Sequence, residues 1–185
     1  AAAASARPAG PGGERAAGVA LMADAESLLA PLFARLAPLL PPALGGGSLV
    51  GLNPRFRFYR YAAGCVYRPH VDGAWPESAV RGGAVVHDAH GGARWSRLTL
   101  VLYLNDDFVG GATTFFAAAP DAAGVLEARG VRPARGCALL FPHGDAAGSL
   151  VHEGSAVARG AKYIVRTDVV YERAAAPARG RAGAA

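Results

Sequence analysis

His70 and Asp72 stand one residue apart, His152 follows much later, and Lys162 lies ten residues beyond it. Two imidazoles and one carboxylate can occupy one face of an octahedral ferrous ion, leaving three positions for a bidentate cosubstrate and O2. On an extended chain, residues i and i+2 point the same way, so His70 and Asp72 can reach one metal. An isolated HxD is more often a surface hydrogen-bonded pair; the combination with His152 and Lys162 is what gives it weight. All but one of the chain's 19 lysines and arginines are arginine, so Lys162 is not readily put down to composition. Its ammonium can hold an acidic cosubstrate, such as the carboxylate of a 2-oxo acid. Lys162, Ile164, Arg166 and Asp168 share parity on one strand. Arg166 is therefore a second candidate for that carboxylate, its guanidinium fork suiting the geometry. It is equally open to a structural salt bridge, the role expected for Asp168.

The elements that must position these residues read as mainly β after a helical start. Leu21, Ala25, Leu28, Leu32 and Leu36 recur at three- and four-residue steps and predict helix over 15–40, with Pro31 kinking it or starting a second helix. That face is expected to support a sheet. Pro41, Pro42 and Gly45–Gly47 end it. Arg55–Tyr61 alternates polar and aromatic residues as a half-buried strand does. Leu98–Leu104, Ala112–Phe116, Val125–Ala128, Gly136–Phe141 and Lys162–Tyr171 read as further strands divided by Gly and Pro turns. The pattern fits a double-stranded β-helix, or jelly roll, with supporting N-terminal helices. Residues 1–14 and 174–185 are low-complexity and expected to be disordered, leaving one domain over 15–173.

A net charge of +5 and a pI near 9.7 point first to nucleic acid. Three of those five charges fall in residues 1–15 and 174–185, and no Lys/Arg block occurs, so nucleic acid is disfavoured as a partner. No run of eighteen apolar residues predicts a membrane span. Cys65 and Cys137 lack metal-ligand spacing and read as reduced thiols, Cys137 buried in a strand. A cytoplasmic or nuclear location is favoured; an organelle stays open because the sequence begins without Met.

Several ordered motifs now add a resemblance. They are Tyr61-x-x-Gly64 leading to His70-Val71-Asp72, then Arg97–Asn105, Gly110–Phe115, Val131-x-Pro133-x-x-Gly136, and His152-Glu153-Gly154-x-x-Val157-x-x-Gly160-x-Lys162-Tyr163. Together the chain resembles the prolyl 4-hydroxylase-like branch of the 2-oxoglutarate/Fe(II)-dependent dioxygenases. The resemblance implies that His70, Asp72 and His152 hold Fe(II). It implies that Lys162 pairs with the distal carboxylate of 2-oxoglutarate, that Tyr61 hydrogen-bonds the same carboxylate, and that Thr99 assists from a pocket-lining strand. It further implies hydroxylation of a C–H on a protein side chain, prolyl among the options, with decarboxylation of 2-oxoglutarate to succinate and L-ascorbate as a possible reductant. A protein or peptide substrate is favoured over a small molecule.

Three positions depart from the collagen-type pattern. Gly73 replaces a common aromatic residue, Ala156 a common proline, and Arg166-Thr167-Asp168 a tryptophan-containing strand. They leave prolyl specificity open. Two other readings compete: a cupin-like metal enzyme acting on a small molecule without the Lys162 contact, and a non-catalytic binding domain on the same barrel. Residues 73–96 read as a long Gly-rich loop that orders over substrate as a lid. His87 and His90 within it are expected to be exposed, and His143 to sit at a turn with no role.

Overall fold

The computed structural model describes residues 16–121 and 123–173. The two ends expected to be disordered, 1–14 and 174–185, lie outside the described residues. The described residues begin with a strand, β1 (Ala17–Met22), where helix was expected. Its apolar spacing suits both periods, and pairing decides between them. β1 lies antiparallel along β4 (Arg55–Ala62), from Ala17 opposite Arg60 to Met22 opposite Arg55, and covers that strand's open edge.

Helix starts only at Asp24, whose carboxylate accepts from the Ser27 N–H at 2.8 Å as an N-cap. A wide π turn over Ala25–Leu29 leads into the α-helix α1 (Ala30–Leu36) and a 3-10 turn over Ala37–Leu39. Pro31 stands in the first turn of α1, where its missing N–H is tolerated. Leu36 and Leu40 are buried against Leu52, Leu98, Leu100, Val169 and Tyr171. The helix thus supports the outer face of a sheet, as its apolar face predicts.

The remaining strands are β2 (Ala43–Leu44), β3 (Gly47–Leu52), β5 (Tyr67–His70), β6 (Ala79–Arg81), β7 (Ala84–Val86), β8 (Arg94–Tyr103), β9 (Val109–Gly110), β10 (Thr113–Ala118), β11 (Leu126–Val131), β12 (Ala138–Pro142), β13 (Val151–Gly154), β14 (Val157–Arg159) and β15 (Ala161–Arg173). β15 is the spine of the larger sheet. It pairs with β4 and then β3 along one edge and with β8 along the other. β12 borders β8, and β2 borders β3. The second sheet runs β11-β10-β13-β5. The sheets meet where Phe141 packs against Phe115 and His152, ring centroids 5.0 and 4.6 Å apart. This is the predicted jelly roll.

One loop reading and one strand reading change. The 73–96 segment holds the β6–β7 hairpin and the start of β8, and its base is tied down. Trp75 N–H donates to Ser96 Oγ at 2.8 Å, Ser96 N–H to Trp75 O at 2.8 Å, and Asn53 Nδ2 to Pro76 O at 3.0 Å. Cys137 is exposed just before β12, whereas Cys65 is buried; both are free. Among the described residues, no helix is long and apolar enough to cross a membrane.

Candidate metal and cosubstrate site

Strand register brings the two histidines together. On the β13–β5 pair His152 lies directly opposite His70, so both rings stand on one face with centroids 4.3 Å apart. Asp72 follows two residues past His70, just beyond the end of β5. Its Oδ1 is 3.3 Å from His70 Nε2 and its Oδ2 is 3.5 Å from His152 Nε2. Their ligand atoms lie within 4.8 Å of one another, and among the described residues this is the one such cluster of His, Cys, Asp and Glu. Two imidazoles and a buried carboxylate at that spacing fit a ferrous ion with open coordination positions. Burial pushes the Asp72 carboxyl up, but hydrogen bonds from His152, His70 and Thr99 and the Arg166 charge outweigh it. The carboxyl is held well below the usual carboxylate range.

The inner faces of β4 and β15 form a ladder. Lys162 pairs with Tyr61, Ile164 with Tyr59, and Arg166 with Arg57. Lys162, Tyr61, Tyr59, Ile164 and Arg166 line the same pocket as His70, Asp72 and His152. Lys162 is 4% exposed. Its Nζ donates to Gly111 O at 2.6 Å and lies 5.7 and 5.4 Å from the Tyr61 and Tyr103 ring centroids. No carboxylate faces it among the described residues, and desolvation brings its pKa down to about 8. Burial raises the Tyr61 hydroxyl above its usual range, so it stays protonated and able to donate.

Arg166 is engaged elsewhere. Its Nη1 is 2.7 Å from Asp72 Oδ1 and its Nη2 is 3.7 Å from Asp168 Oδ1. Asp168 pairs with Arg57 of the neighbouring strand at 2.5 Å, the structural bridge expected of it. Thr99 Oγ1 donates to Asp72 Oδ2 at 2.8 Å, and its strand β8 lines the pocket through Val101. Its inward direction on β8 is shared with Asp168, the residue opposite it on β15.

His143 is the residue that sequence reasoning missed. It lies at the expected turn but is fully buried. Thr99 Oγ1 donates to Asp72 Oδ2 at 2.8 Å, which commits its only proton. His143 Nδ1, 2.8 Å from Thr99 Oγ1, must then be the donor in that contact, and Nε2 accepts from Ser96 Oγ at 2.9 Å. Desolvation lowers the His143 pKa, consistent with this neutral tautomer. A single directed chain of hydrogen bonds therefore runs from the Trp75 amide through Ser96, His143 and Thr99 to Asp72. Phe141-Pro142-His143-Gly144 looks like a turn in the sequence, and only the polar inward residues of β8 hint otherwise. His87 is exposed as expected, and His90 is half-buried on Glu77 at 3.1 Å.

Comparison with known proteins follows this geometry. A crystal structure of a Pseudomonas putida prolyl-4-hydroxylase superposes with a TM-score of 0.52 at 21% identity, covering 86% of this chain and 74% of that one. A viral collagen prolyl hydroxylase from Paramecium Bursaria Chlorella virus-1 gives 0.52 at 16% identity, covering 85% and 75%. A prolyl hydroxylase from Trichoplax adhaerens gives 0.51 at 14% identity, covering 84% and 62%. At these identities the likeness is one of fold. No curated protein matches the sequence. The family model described as 2OG-Fe(II) oxygenase superfamily matches residues 56–167, more than half of the sequence and every residue of the site cluster. The chain belongs to the 2OG-Fe(II) oxygenase superfamily.

Proposed function

We propose that the chain, as one catalytic unit over 15–173, hydroxylates a C–H of a protein or peptide side chain. His70, Asp72 and His152 would hold Fe(II), and Lys162 with Tyr61 the distal carboxylate of 2-oxoglutarate. The observation that carries this is the buried Lys162 amine, which shares a pocket with the His-Asp-His cluster and has no anionic partner among the described residues. A buried cation calls for an anion, and a dicarboxylate chelating the metal would bring one. Arg166 already faces two carboxylates, which favours Lys162 for the cosubstrate.

Iron with 2-oxoglutarate and O2 supplies the oxidising power, releasing succinate and CO2. The protein's own part is positional. Tyr61 and Lys162 orient the dicarboxylate, Thr99 and Arg166 hold the Asp72 carboxylate, and Phe115, Phe141 and Ile164 screen the pocket from water. A peptide is supported by the exposed apolar side chains around the His70–Asp72 turn: Val66, Tyr67, Val71 and Trp75 are each between 40% and 48% exposed. The Trichoplax structure of the same fold holds a peptide fragment. Proline is one option for the target side chain. Two free cysteines, one of them exposed, support a reducing compartment, cytoplasmic or nuclear. L-ascorbate would act as a reductant during unproductive turnover.

The test is succinate formation that requires both Fe(II) and 2-oxoglutarate, with mass spectrometry of lysate proteins for gain of one oxygen atom. His70→Ala and His152→Ala should abolish both. Full activity in either variant would remove the ligand assignment, and oxygen gained only by small metabolites would remove the peptide reading.

A further inference from the structure

The ladder does not end at Arg166. Beyond it, on the side away from Lys162, the inner face continues to Arg55 and Asp168 and opens into a second cavity of about 410 Å3. That is within the roughly 300–1,000 Å3 of ligand pockets. Its lining includes Arg55, Arg57 and Asp168 from the two ladder strands and Trp75, Pro76 and His87 from the segment after Asp72. The cavity is joined to the metal site through Asp168 of its lining, whose Oδ1 is 3.7 Å from Arg166 Nη2, while Arg166 Nη1 reaches Asp72 at 2.7 Å. The cosubstrate would fill the Lys162 end, so this cavity lies at the end left for substrate.

Its charge is unbalanced. Asp168, the one acid in its lining, is already held by Arg57 at 2.5 Å. Arg55 is half-buried, and its guanidinium has no ion-pair or hydrogen-bond partner among the described residues; only its backbone N–H is engaged, by Asn53 Oδ1 at 3.2 Å. The Trp75–Pro76 part of the lining is preformed, because the Trp75 backbone is pinned to Ser96 and that of Pro76 to Asn53. An aromatic ring and a proline in one cavity with a spare guanidinium suit an apolar stem ending in a carboxylate.

We infer that this cavity is a substrate subsite for an acidic side chain near the hydroxylated residue, with Arg55 as its cation. This rests on the peptide-hydroxylase reading, and Arg55 becomes a specificity residue within it. Asp and Glu meet the requirement through their side chains; a free small anion meets it without a peptide.

The probes are three degenerate peptide pools, identical except for one fixed kind of residue: Asp/Glu, Asn/Gln or Lys. They are added to full-length protein loaded with Fe(II) and 2-oxoglutarate without O2, and binding is followed by tryptophan fluorescence. The Asp/Glu pool should bind about tenfold more tightly than the Asn/Gln pool, the worth of one charge-assisted hydrogen bond. Arg55→Lys should keep that ratio, Arg55→Gln should bring it to about one, and Arg55→Glu should turn the preference to the Lys pool. The ratio is read within each variant, so a general loss of binding leaves it unmoved. Equal binding of the pools by native protein, or an acidic preference that survives Arg55→Glu, overturns the inference. So does acetate or phosphate binding as tightly as the acidic pool. Failure of every pool to bind removes both the subsite and the peptide reading, while 2-oxoglutarate and iron binding in the same samples report separately on the oxygenase centre.

Discussion

Thr99 is joined to Asp72 by a 2.8 Å hydrogen bond whose direction is set by what lies behind it. His143 fills the other side of the same hydroxyl, so Thr99 has no proton to offer elsewhere. The carboxylate is consequently aimed by the buried side chains of Ser96, His143 and Thr99 as well as by the segment that carries it.

Removing that hydroxyl should loosen the metal. Thr99→Val strips a support from Asp72 and leaves the His143 Nδ1–H without an acceptor. Iron affinity should fall about 10–100-fold, and stability by about 1–3 kcal/mol. Thr99→Ser should restore both. Anaerobic Fe(II) titration and urea unfolding read the two effects, and unchanged iron affinity in Thr99→Val would place the support elsewhere.

Lys162→Ala and Arg166→Ala should fail differently. Loss of Lys162 should weaken 2-oxoglutarate by about a hundredfold or more, as expected when a buried anion loses its partner, with iron binding retained. Loss of Arg166 removes a 2.7 Å contact to Asp72 and should act first on iron. Titrating each variant with Fe(II) and then with 2-oxoglutarate separates the two. A larger cosubstrate defect in Arg166→Ala would move the carboxylate role to Arg166.

The lowered Lys162 pKa has a definite sign. The unfolded chain keeps this proton up to about 10.5 and the folded chain only to about 8. Between those values the unfolded state binds more protons, so this lysine's contribution to stability improves as pH rises from 8 to 10.5. Below pH 8 the buried charge costs up to about 3 kcal/mol. Lys162→Met should therefore raise the melting temperature at neutral pH while losing the cosubstrate. Above pH 8, native protein must take up a proton to bind 2-oxoglutarate. Calorimetry in buffers of differing ionisation enthalpy should detect that uptake in native protein and not in Lys162→Met.

Gly110 should tolerate no side chain. Its φ is +80°, and an added Cβ would strike the Ala156 carbonyl oxygen. That oxygen accepts from the Gly111 N–H at 2.9 Å, in the turn whose Gly111 carbonyl holds Lys162. Gly110→Ala should cost several kcal/mol through strain and clash and weaken 2-oxoglutarate with it. Thermal unfolding and cosubstrate titration check both.

What could be read in advance was whatever depends on parity and short spacing. His70-x-Asp72 needed only an extended chain, and the shared direction of Lys162, Ile164, Arg166 and Asp168 needed only a strand. What escaped depended on partners distant in sequence. Ala17–Met22 becomes a strand because β4 has an edge to cover, and nothing local excludes helix. His143 carries turn neighbours, yet Ser96 and Thr99 on another strand draw it inside. The Thr99 contact to Asp72 is likewise illegible locally, since an inward position does not say which distant side chain a hydroxyl meets. Cys137 was read as part of β12 and falls one residue short of it.

The β4–β15 ladder also constrains how this protein can change. Side chains on β15 alternate with a period of two, so a single-residue insertion between Gly160 and Lys162 would turn Lys162, Ile164, Arg166 and Asp168 outward together. The buried Lys162 amine, the Arg166 contact to Asp72 and the Asp168 partner of Arg57 would be lost in one event. An even-length change would keep the facing but slide Lys162, Ile164 and Arg166 off Tyr61, Tyr59 and Arg57, whereas the β6–β7 hairpin lies outside the ladder.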